Sequence, residues 1–171
     1  MLTARLVLTP VTLDDVDDLV LLYGDPEVAF WTGPWTRASV TEWAAGMASR
    51  WTAQGVGRWM ARDRSSGSLV GRGGFTRCDL GEEAVLELGW AVRDVCTGRG
   101  YATELGRAAV DWAAEHHPDL PVVAFTEVHN HASRAVMERI GMRSAGVLRR
   151  PGLVAGLDGV QPDAPFALYR W

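Results

Sequence analysis

One segment constrains the fold of this chain more than any other: an extended stretch, a Gly-x-Gly turn and an amphipathic helix follow one another between residues 84 and 115. Residues 84–92 alternate with the two-residue period of a β-strand, and an apolar stripe recurs at helical spacing after residue 101. Gly98 and Gly100 precede this helix, whose first N–H groups and dipole favour an anion. We therefore predict that residues 98–102 bind a phosphate or pyrophosphate, although two glycines also suit a plain tight turn.

The same turn does not match the dinucleotide-binding fingerprint. Thr103 stands where the third glycine of that fingerprint belongs. The turn also follows three predicted antiparallel strands rather than opening a βαβ unit. A nucleotide-binding domain of the NAD or ATP type therefore remains only a minor alternative.

The rest of the chain predicts one mixed α/β domain over residues 1–171, in the order β-α-α-β-β-β-α-β-α-β-β. Strands are predicted at residues 6–8, 58–63, 69–77, 84–92, 122–128, 142–149 and 164–171. The helices are predicted to begin near Thr12, Arg37, Ala102 and Asn130. Asp25-Pro26 is expected to end the first helix, which makes residues 28–36 an aromatic loop.

Composition excludes several classes of function. All 17 basic residues are arginine, so the chain has neither a Schiff-base lysine nor the lysine of a P-loop. The net charge of −4 and the lack of a basic stripe argue against nucleic acid. The longest apolar run has five residues, and the first ten residues do not resemble a signal peptide, so we expect a cytoplasmic protein without a membrane contact. The two cysteines and four histidines match no metal-ligand spacing, and no metal is expected.

A second motif follows the strand predicted at residues 122–128. Asn130 is the one asparagine of the chain and sits where that strand meets a helix, which by itself indicates a helix N-cap. Ser133 lies one turn further on, and the sequence Glu-Arg-Ile-Gly-Met at residues 138–142 ends the helix.

Taken together, these segments resemble the GNAT superfamily of acyl-CoA N-acetyltransferases, in particular its bacterial ribosomal-protein-alanine branch. The resemblance rests on Thr3-Ala4-Arg5-Leu6-Val7-Leu8 with Asp25-Pro26-Glu27-Val28, on Glu87-Leu88-Gly89-Trp90 with the segment from Gly98 to Glu104, and on residues 130–142. It implies a mostly antiparallel central sheet with a splayed parallel strand pair and helices on both faces.

The resemblance also implies acetyl-CoA as cosubstrate and a set of residues that bind it. The pantetheine arm would lie between residues 90–92 and 125–128, and the N–H of Val92 would face the thioester oxygen. The expected cofactor-binding residues are Trp90, Ala91, Val92, Thr97, Gly98, Arg99, Gly100, Tyr101, Ala102, Asn130, Ser133 and Arg139.

The chemistry is the attack of a neutral amine on a thioester, so a base is useful at neutral pH. Glu87 is the candidate base, because it lies on the strand face opposite the apolar residues. Many relatives carry a tyrosine as general acid where this chain has Met137, which cannot donate a proton. Ser133 is therefore the candidate donor toward the leaving sulfur. Phe30, Trp31 and Trp35 are expected at the acceptor site.

Three functions remain open. The leading one is acetylation of a protein N-terminal α-amine. The second is acetylation of a small amine such as a polyamine or an aminoglycoside, and the third is a non-catalytic acyl-CoA-binding module. The sequence fits either a monomer or a homodimer, and it does not identify the acceptor.

Overall fold

The computed structural model describes residues 1–171 and contains seven β-strands and five α-helices. The strands are β1 Leu6–Pro10, β2 Arg58–Asp63, β3 Leu69–Leu80, β4 Glu83–Val92, β5 Val122–Glu127, β6 Arg143–Gly152 and β7 Gln161–Arg170. The helices are α1 Val16–Tyr23, α2 Pro26–Thr32, α3 Arg37–Gln54, α4 Tyr101–His116 and α5 His131–Arg139. Short 3₁₀ turns at Leu13–Asp15 and Asp94–Cys96 precede α1 and α4.

All seven strands form one sheet in the order β1-β2-β3-β4-β5-β7-β6. β4 and β5 are parallel, and every other neighbouring pair is antiparallel. This confirms the predicted mostly antiparallel sheet with one parallel strand pair. The parallel pair lies inside the sheet, with strands on both sides of it.

The helices cover both faces of the sheet. A cluster of 23 buried residues packs one face against α4 and α5, and includes Leu86 and Leu88 of β4 and Ala124 of β5. A second cluster of 12 buried residues packs the opposite face against α1 and α3, and includes Ala91. The two-residue period of β4 therefore divides its side chains between the two layers, as the sequence predicted. None of the five helices is long and apolar enough to cross a membrane.

One element was predicted wrongly. Residues 26–32 form the helix α2 rather than part of an aromatic loop, and Asp25-Pro26 begins this helix instead of ending the previous one. Asp25 occupies the N-cap and Pro26 the first helical position, where a missing N–H costs nothing. A proline preceded by aspartate and followed by glutamate is a helix-start pattern, and the aromatic residues that follow it obscured that pattern.

Glu104, in the first turn of α4, ties the N-terminus of the chain to the helix. Its Oε1 accepts hydrogen bonds from the Thr3 hydroxyl at 2.5 Å and the Arg5 backbone N–H at 2.7 Å, and its Oε2 accepts one from Arg5 Nε at 2.7 Å. Partial burial acts to raise the pKa of Glu104, but these hydrogen bonds outweigh it and hold the pKa below its ordinary value. Glu104 is thus a residue that organises the fold.

We expect Glu104→Gln to lower the free energy of unfolding at pH 7 by about 1–3 kcal/mol, the range for hydrogen bonds to a charged group. Because the pKa of Glu104 is depressed by folding, its stabilisation is present above the unfolded pKa of about 4.3 and is lost as the pH falls through the folded pKa. In urea unfolding, the difference in the free energy of unfolding between wild type and Glu104→Gln should therefore decrease below pH 4. Glu115→Gln, exposed on the same helix, is the control; a gap of equal size at pH 7 and pH 3 would contradict the prediction.

Candidate active site

The central feature of the site is the gap between β4 and β5. The two strands pair only at Leu86 with Val122 and at Glu87 with Val123, and then diverge. β4 stays paired with β3 as far as Val92, and β5 stays paired with β7 as far as Glu127. The backbone groups of β4 that face the gap beyond Glu87 therefore have no strand partner. Such groups favour a ligand that carries its own amides.

A cleft of about 1000 Å³ begins at this gap and extends to the N-terminus of α4. It contains nearly all of the residues predicted to bind the cofactor: Trp90, Ala91, Val92, Thr97, Gly98, Gly100, Tyr101, Ala102, Asn130, Ser133 and Arg139. The structure thus brings together residues from β4, the Gly-x-Gly turn and α5 on one continuous surface.

The turn before α4 presents a row of free donors. The N–H groups of residues 98–103 donate no hydrogen bond within the chain. Gly100 is the N-cap of α4 and has a φ of +80°, a left-handed conformation that favours glycine. No side chain caps this end of the helix, so the donors and the helix dipole are available to an anion.

Arginines surround the same end of the cleft, but the set differs from the two that were predicted, Arg99 and Arg139. Arg5, Arg107 and Arg139 line it, whereas Arg99 does not. The Arg99 guanidinium lies 5.2 Å from the centre of the Tyr101 ring. Arg5 donates from Nη1 to the Arg99 carbonyl at 2.8 Å and so braces the turn. Sequence reasoning missed Arg5 because β1 reaches this turn only in the folded protein.

Asn130 and Ser133 occupy the end of α5 that faces the cleft. Asn130 is buried, and its Oδ1 accepts the Ser133 backbone N–H at 3.0 Å, which confirms the predicted N-cap. The Asn130 Nδ2 and the Ser133 hydroxyl make no hydrogen bond within the chain. The Ser133 hydroxyl is therefore free, and the backbone of the helix does not depend on it.

A second cavity, of about 540 Å³, adjoins the cleft, and we refer to it as the acceptor cavity. The two spaces share Trp31, Thr32, Trp90 and Ser133 as lining residues. Phe30 and Glu87, two of the residues expected at the acceptor site, also line this cavity.

Trp35 does not line the acceptor cavity. Its ring stacks on Tyr23 with centroids 4.4 Å apart and packs against the cluster beneath α1 and α3. The three aromatic residues predicted to form one loop are separated because Phe30 and Trp31 belong to α2, whereas Trp35 follows its end. Trp31 instead contacts His129, with ring centroids 5.2 Å apart.

Glu87 is held by an arginine that sequence reasoning did not find. Arg58 is buried, and its Nη2 donates to Glu87 Oε2 at 3.2 Å. Its Nη1 donates to the carbonyls of Gly74 and, at 2.8 Å, of Gly89. Burial lowers the pKa of the Arg58 guanidinium, and the Glu87 carboxylate partly opposes that shift.

Gly89 makes this ion pair possible. A Cβ at position 89 would lie 2.7 Å from Arg58 Nη1, so any side chain there would displace the guanidinium. Glycine in a strand interior often marks such a close approach. The Gly89 in the segment Leu-Glu-Leu-Gly-Trp was the available sign that another side chain crosses β4 beside Glu87.

The structure also limits which groups could protonate a leaving sulfur. The Tyr169 hydroxyl donates to Glu138 Oε1 at 2.9 Å and accepts from Arg134 Nε at 3.3 Å, and Tyr169 lines neither the cleft nor the acceptor cavity. Met137 is buried and lines the acceptor cavity, but its thioether has no proton to give. Two hydroxyl residues line both spaces, Thr32 and Ser133. The Thr32 hydroxyl donates to the Val28 carbonyl at 2.9 Å, whereas the Ser133 hydroxyl is free.

Comparison with known proteins identifies the family. Residues 5–143 match the model of the acetyltransferase (GNAT) domain. The chain is 28% identical to the uncharacterized protein YkkB of Bacillus subtilis over 131 residues, and this aligned segment covers 76% of each protein.

Solved structures share the whole fold. A GNAT-family acetyltransferase from Bordetella pertussis superimposes with a TM-score of 0.81 at 23% identity, over 99% of this chain and 97% of that one. A ribosomal-protein-S5-alanine acetyltransferase from Vibrio fischeri gives 0.79 at 10% identity, over 98% and 94%. A spermidine N-acetyltransferase from Vibrio cholerae, solved with CoA and spermine, gives 0.74 at 15% identity, over 98% and 96%. With the GNAT model matched over most of its length, this chain belongs to the GNAT family and is an acetyl-CoA-dependent N-acetyltransferase.

Proposed function

We propose that this acetyltransferase acts on the N-terminal α-amine of a protein. The observation that carries the choice is the open rim of the acceptor cavity, which includes Phe30 and Val160, 59% and 68% exposed. A polypeptide end can enter such a rim while the rest of the chain stays outside. The sequence motifs of the ribosomal-protein-alanine branch support the same acceptor.

A small amine is the second candidate acceptor. The structural similarity to a spermidine N-acetyltransferase and the cavity volume of about 540 Å³ favour it. A spectrophotometric assay of thiol release from acetyl-CoA distinguishes the two, with alanine- and serine-terminated peptides, spermidine and an aminoglycoside as acceptors. Turnover on the peptides supports the proposal. Turnover on the small amines alone would replace it with the second candidate. If no acceptor in this set causes thiol release, the acceptor belongs to a different class.

Acetyl-CoA fits the cleft by its chemistry. The free N–H groups of residues 98–103 would hold its pyrophosphate, with Arg5, Arg107 and Arg139 available to its phosphates. The Leu86 N–H donates toward β5, to the Pro121 carbonyl, whereas the Arg93 N–H donates toward β3, to the Val70 carbonyl. Backbone groups alternate along a strand, so those of Val92 face the gap and those of Ala91 face β3. Val92, and not Ala91 as the resemblance implied, would therefore bond the pantetheine amides. The Val92 N–H would stabilise the negative charge that develops on the thioester oxygen.

Glu87 would prepare the amine for attack. An α-amine with a pKa near 7.8 is partly protonated at neutral pH, and only its neutral form is a nucleophile. Glu87 would accept that proton through water, while Arg58 fixes the carboxylate toward the acceptor cavity. The nitrogen then attacks the thioester carbonyl carbon, and the carbon–sulfur bond breaks to release the thiolate while the nitrogen gives its second proton to water.

Ser133 would assist the departure of that thiolate. Its free hydroxyl lies on the surface shared by the cleft and the acceptor cavity. A thiol with a pKa near 8.5 leaves tolerably as thiolate, so a hydrogen bond to sulfur is sufficient without complete proton transfer.

We expect Gly100→Asp to weaken CoA binding at least tenfold more than Gly100→Asn does. Both variants place a side chain of the same size on the left-handed N-cap, but only aspartate puts a negative charge beside the pyrophosphate, which costs a few kcal/mol near a protein surface. Isothermal titration calorimetry with CoA measures the difference. Equal affinities of the two variants would remove the assignment of the pyrophosphate to this turn.

Glu87→Gln should lower turnover by about 10²–10⁴-fold at pH 7 and leave CoA affinity unchanged, as expected for loss of a general base. The deficit should shrink as the pH rises, because more of the amine is already neutral. Steady-state kinetics from pH 6 to pH 9 tests both statements. Glu83→Gln, on the same strand but paired with Arg170 at the surface, serves as control; wild-type turnover of Glu87→Gln at pH 7 would place the base elsewhere.

Ser133→Ala should reduce turnover by about 10–100-fold with little change in CoA affinity, a barrier increase of about 1.4–2.7 kcal/mol. Its melting temperature should stay near that of wild type, because the N-cap uses the Ser133 backbone N–H rather than the hydroxyl. Met137→Leu is the companion variant and should keep its activity. Leucine is the substitute because Met137 is buried, and a side chain of similar volume avoids overpacking the core.

A further inference from the structure

Glu127, at the end of β5, is a buried carboxylate without a cationic partner. The residue is 8% exposed and lines the acceptor cavity. No arginine or histidine lies within ion-pair distance of it, and its one side-chain hydrogen bond is a long one of 3.5 Å from the Thr126 hydroxyl. A buried charge without a partner costs free energy, so this carboxylate is poised for a cation that comes from outside the chain.

The sheet register places Glu127 beside the expected position of the thioester. Glu87 pairs with Val123, so side chains at positions 123, 125 and 127 of β5 share the sheet face of Glu87. Glu127 lies four residues beyond Val123, and Ala91 lies four residues beyond Glu87, which puts Glu127 and Ala91 at the same height on either side of the gap. Glu87 itself lies about 13 Å further back along the strands, at roughly 3.3 Å per residue.

The arginines that line the acceptor cavity are engaged elsewhere. Arg58 is paired with Glu87. Arg72 donates to the Tyr23 hydroxyl at 3.1 Å, and Arg150 lies over the Phe125 ring, 4.4 Å from its centre. Glu127 is therefore the carboxylate of this cavity that no side chain of the protein neutralises.

We propose that Glu127 binds the acceptor amine in its protonated form and thereby selects cationic acceptors. This inference rests on the proposed function. The two carboxylates have separate roles, in which Glu127 holds the incoming ammonium at the height of Ala91 and Glu87 removes one proton from it through a chain of water molecules. The neutral nitrogen then attacks the thioester carbonyl carbon and the carbon–sulfur bond breaks. The second nitrogen proton passes to water as the amide forms and the thiolate leaves.

The test separates charge recognition from chemistry with acceptors that bind but cannot react. The first compound is a tetrapeptide with N-terminal alanine and an amidated C-terminus, in which the α-amine carries two methyl groups. This tertiary amine keeps a positive charge, but its acetylation gives no stable product. The lactyl analogue, with a hydroxyl in place of the amine, is its neutral match. N,N-dimethylbutylamine and 1-butanol form a corresponding small-molecule pair. Binding is measured by calorimetry in the presence of CoA.

Wild type should bind the charged member of at least one pair about tenfold or more tightly than the neutral member. Glu127→Gln should abolish this preference, whereas Glu87→Gln and the exposed control Glu82→Gln should keep it. In the kinetics of a reactive acceptor, Glu127→Gln should raise KM at least tenfold and change kcat less than threefold. Unchanged CoA affinity and melting temperature show that the variant is folded.

Three results would overturn the inference: no charge preference in either pair for wild type, a preference that survives Glu127→Gln, or a fall in kcat with unchanged KM. The last would make Glu127 the base instead of the binding residue. The two proposals can also fail separately. If the protein acetylates none of the amines tested but still shows a charge preference that depends on Glu127, the proposed function is rejected and the cation-binding role of Glu127 is retained.

Discussion

The divergence of β4 from β5 is the constraint on which the rest of the site depends. Each of these strands keeps an antiparallel partner on its outer side, so the sheet stays intact in two halves while its centre opens. The opening leaves backbone N–H and C=O groups of β4 without a hydrogen-bond partner inside the protein. Such unpaired groups are rare, because buried backbone groups are nearly always hydrogen-bonded. The free N–H groups before α4 lie at one end of this opening, and the end of α5 forms its opposite wall. Acetyl-CoA carries amides that can pair with the open edge of β4 and a pyrophosphate that can accept from the N–H groups before α4.

The acceptor side is organised by charge on one face of the sheet. Arg58 reaches from β2 across β3 to β4, where Gly89 leaves room for its guanidinium, and it forms an ion pair with Glu87. Glu127 has no such partner on the same face. Two carboxylates in one cavity thus have different environments, and different environments are how one site gives separate roles to groups of the same chemistry.

Helix α2 joins the two spaces. Trp31 and Thr32 line the cleft as well as the acceptor cavity, and the Trp31 ring contacts His129, two residues before α5 begins. Asp25, which begins the helix, also accepts the Asp94 backbone N–H at 3.1 Å, just before the Gly-x-Gly turn. The position of α2 is therefore tied to the turn proposed to bind the cofactor, and one short helix forms a wall common to both spaces.

The sequence by itself determined the layers of the fold, the Gly-x-Gly turn, the N-cap at Asn130 and most of the residues around the cleft. These features depend on local periodicity, on glycine at an exposed helix start and on capping chemistry, all of which act over a few neighbouring residues. It missed α2, because a helix-start pattern was hidden by aromatic residues, and it placed Arg99 and Trp35 at sites they do not line. Only the tertiary structure brought Arg5 to the turn, Arg58 to Glu87 and Glu127 to the height of Ala91. Those contacts join residues separated by 29 or more positions in the chain, and the register of neighbouring strands, which no local pattern records, decides them.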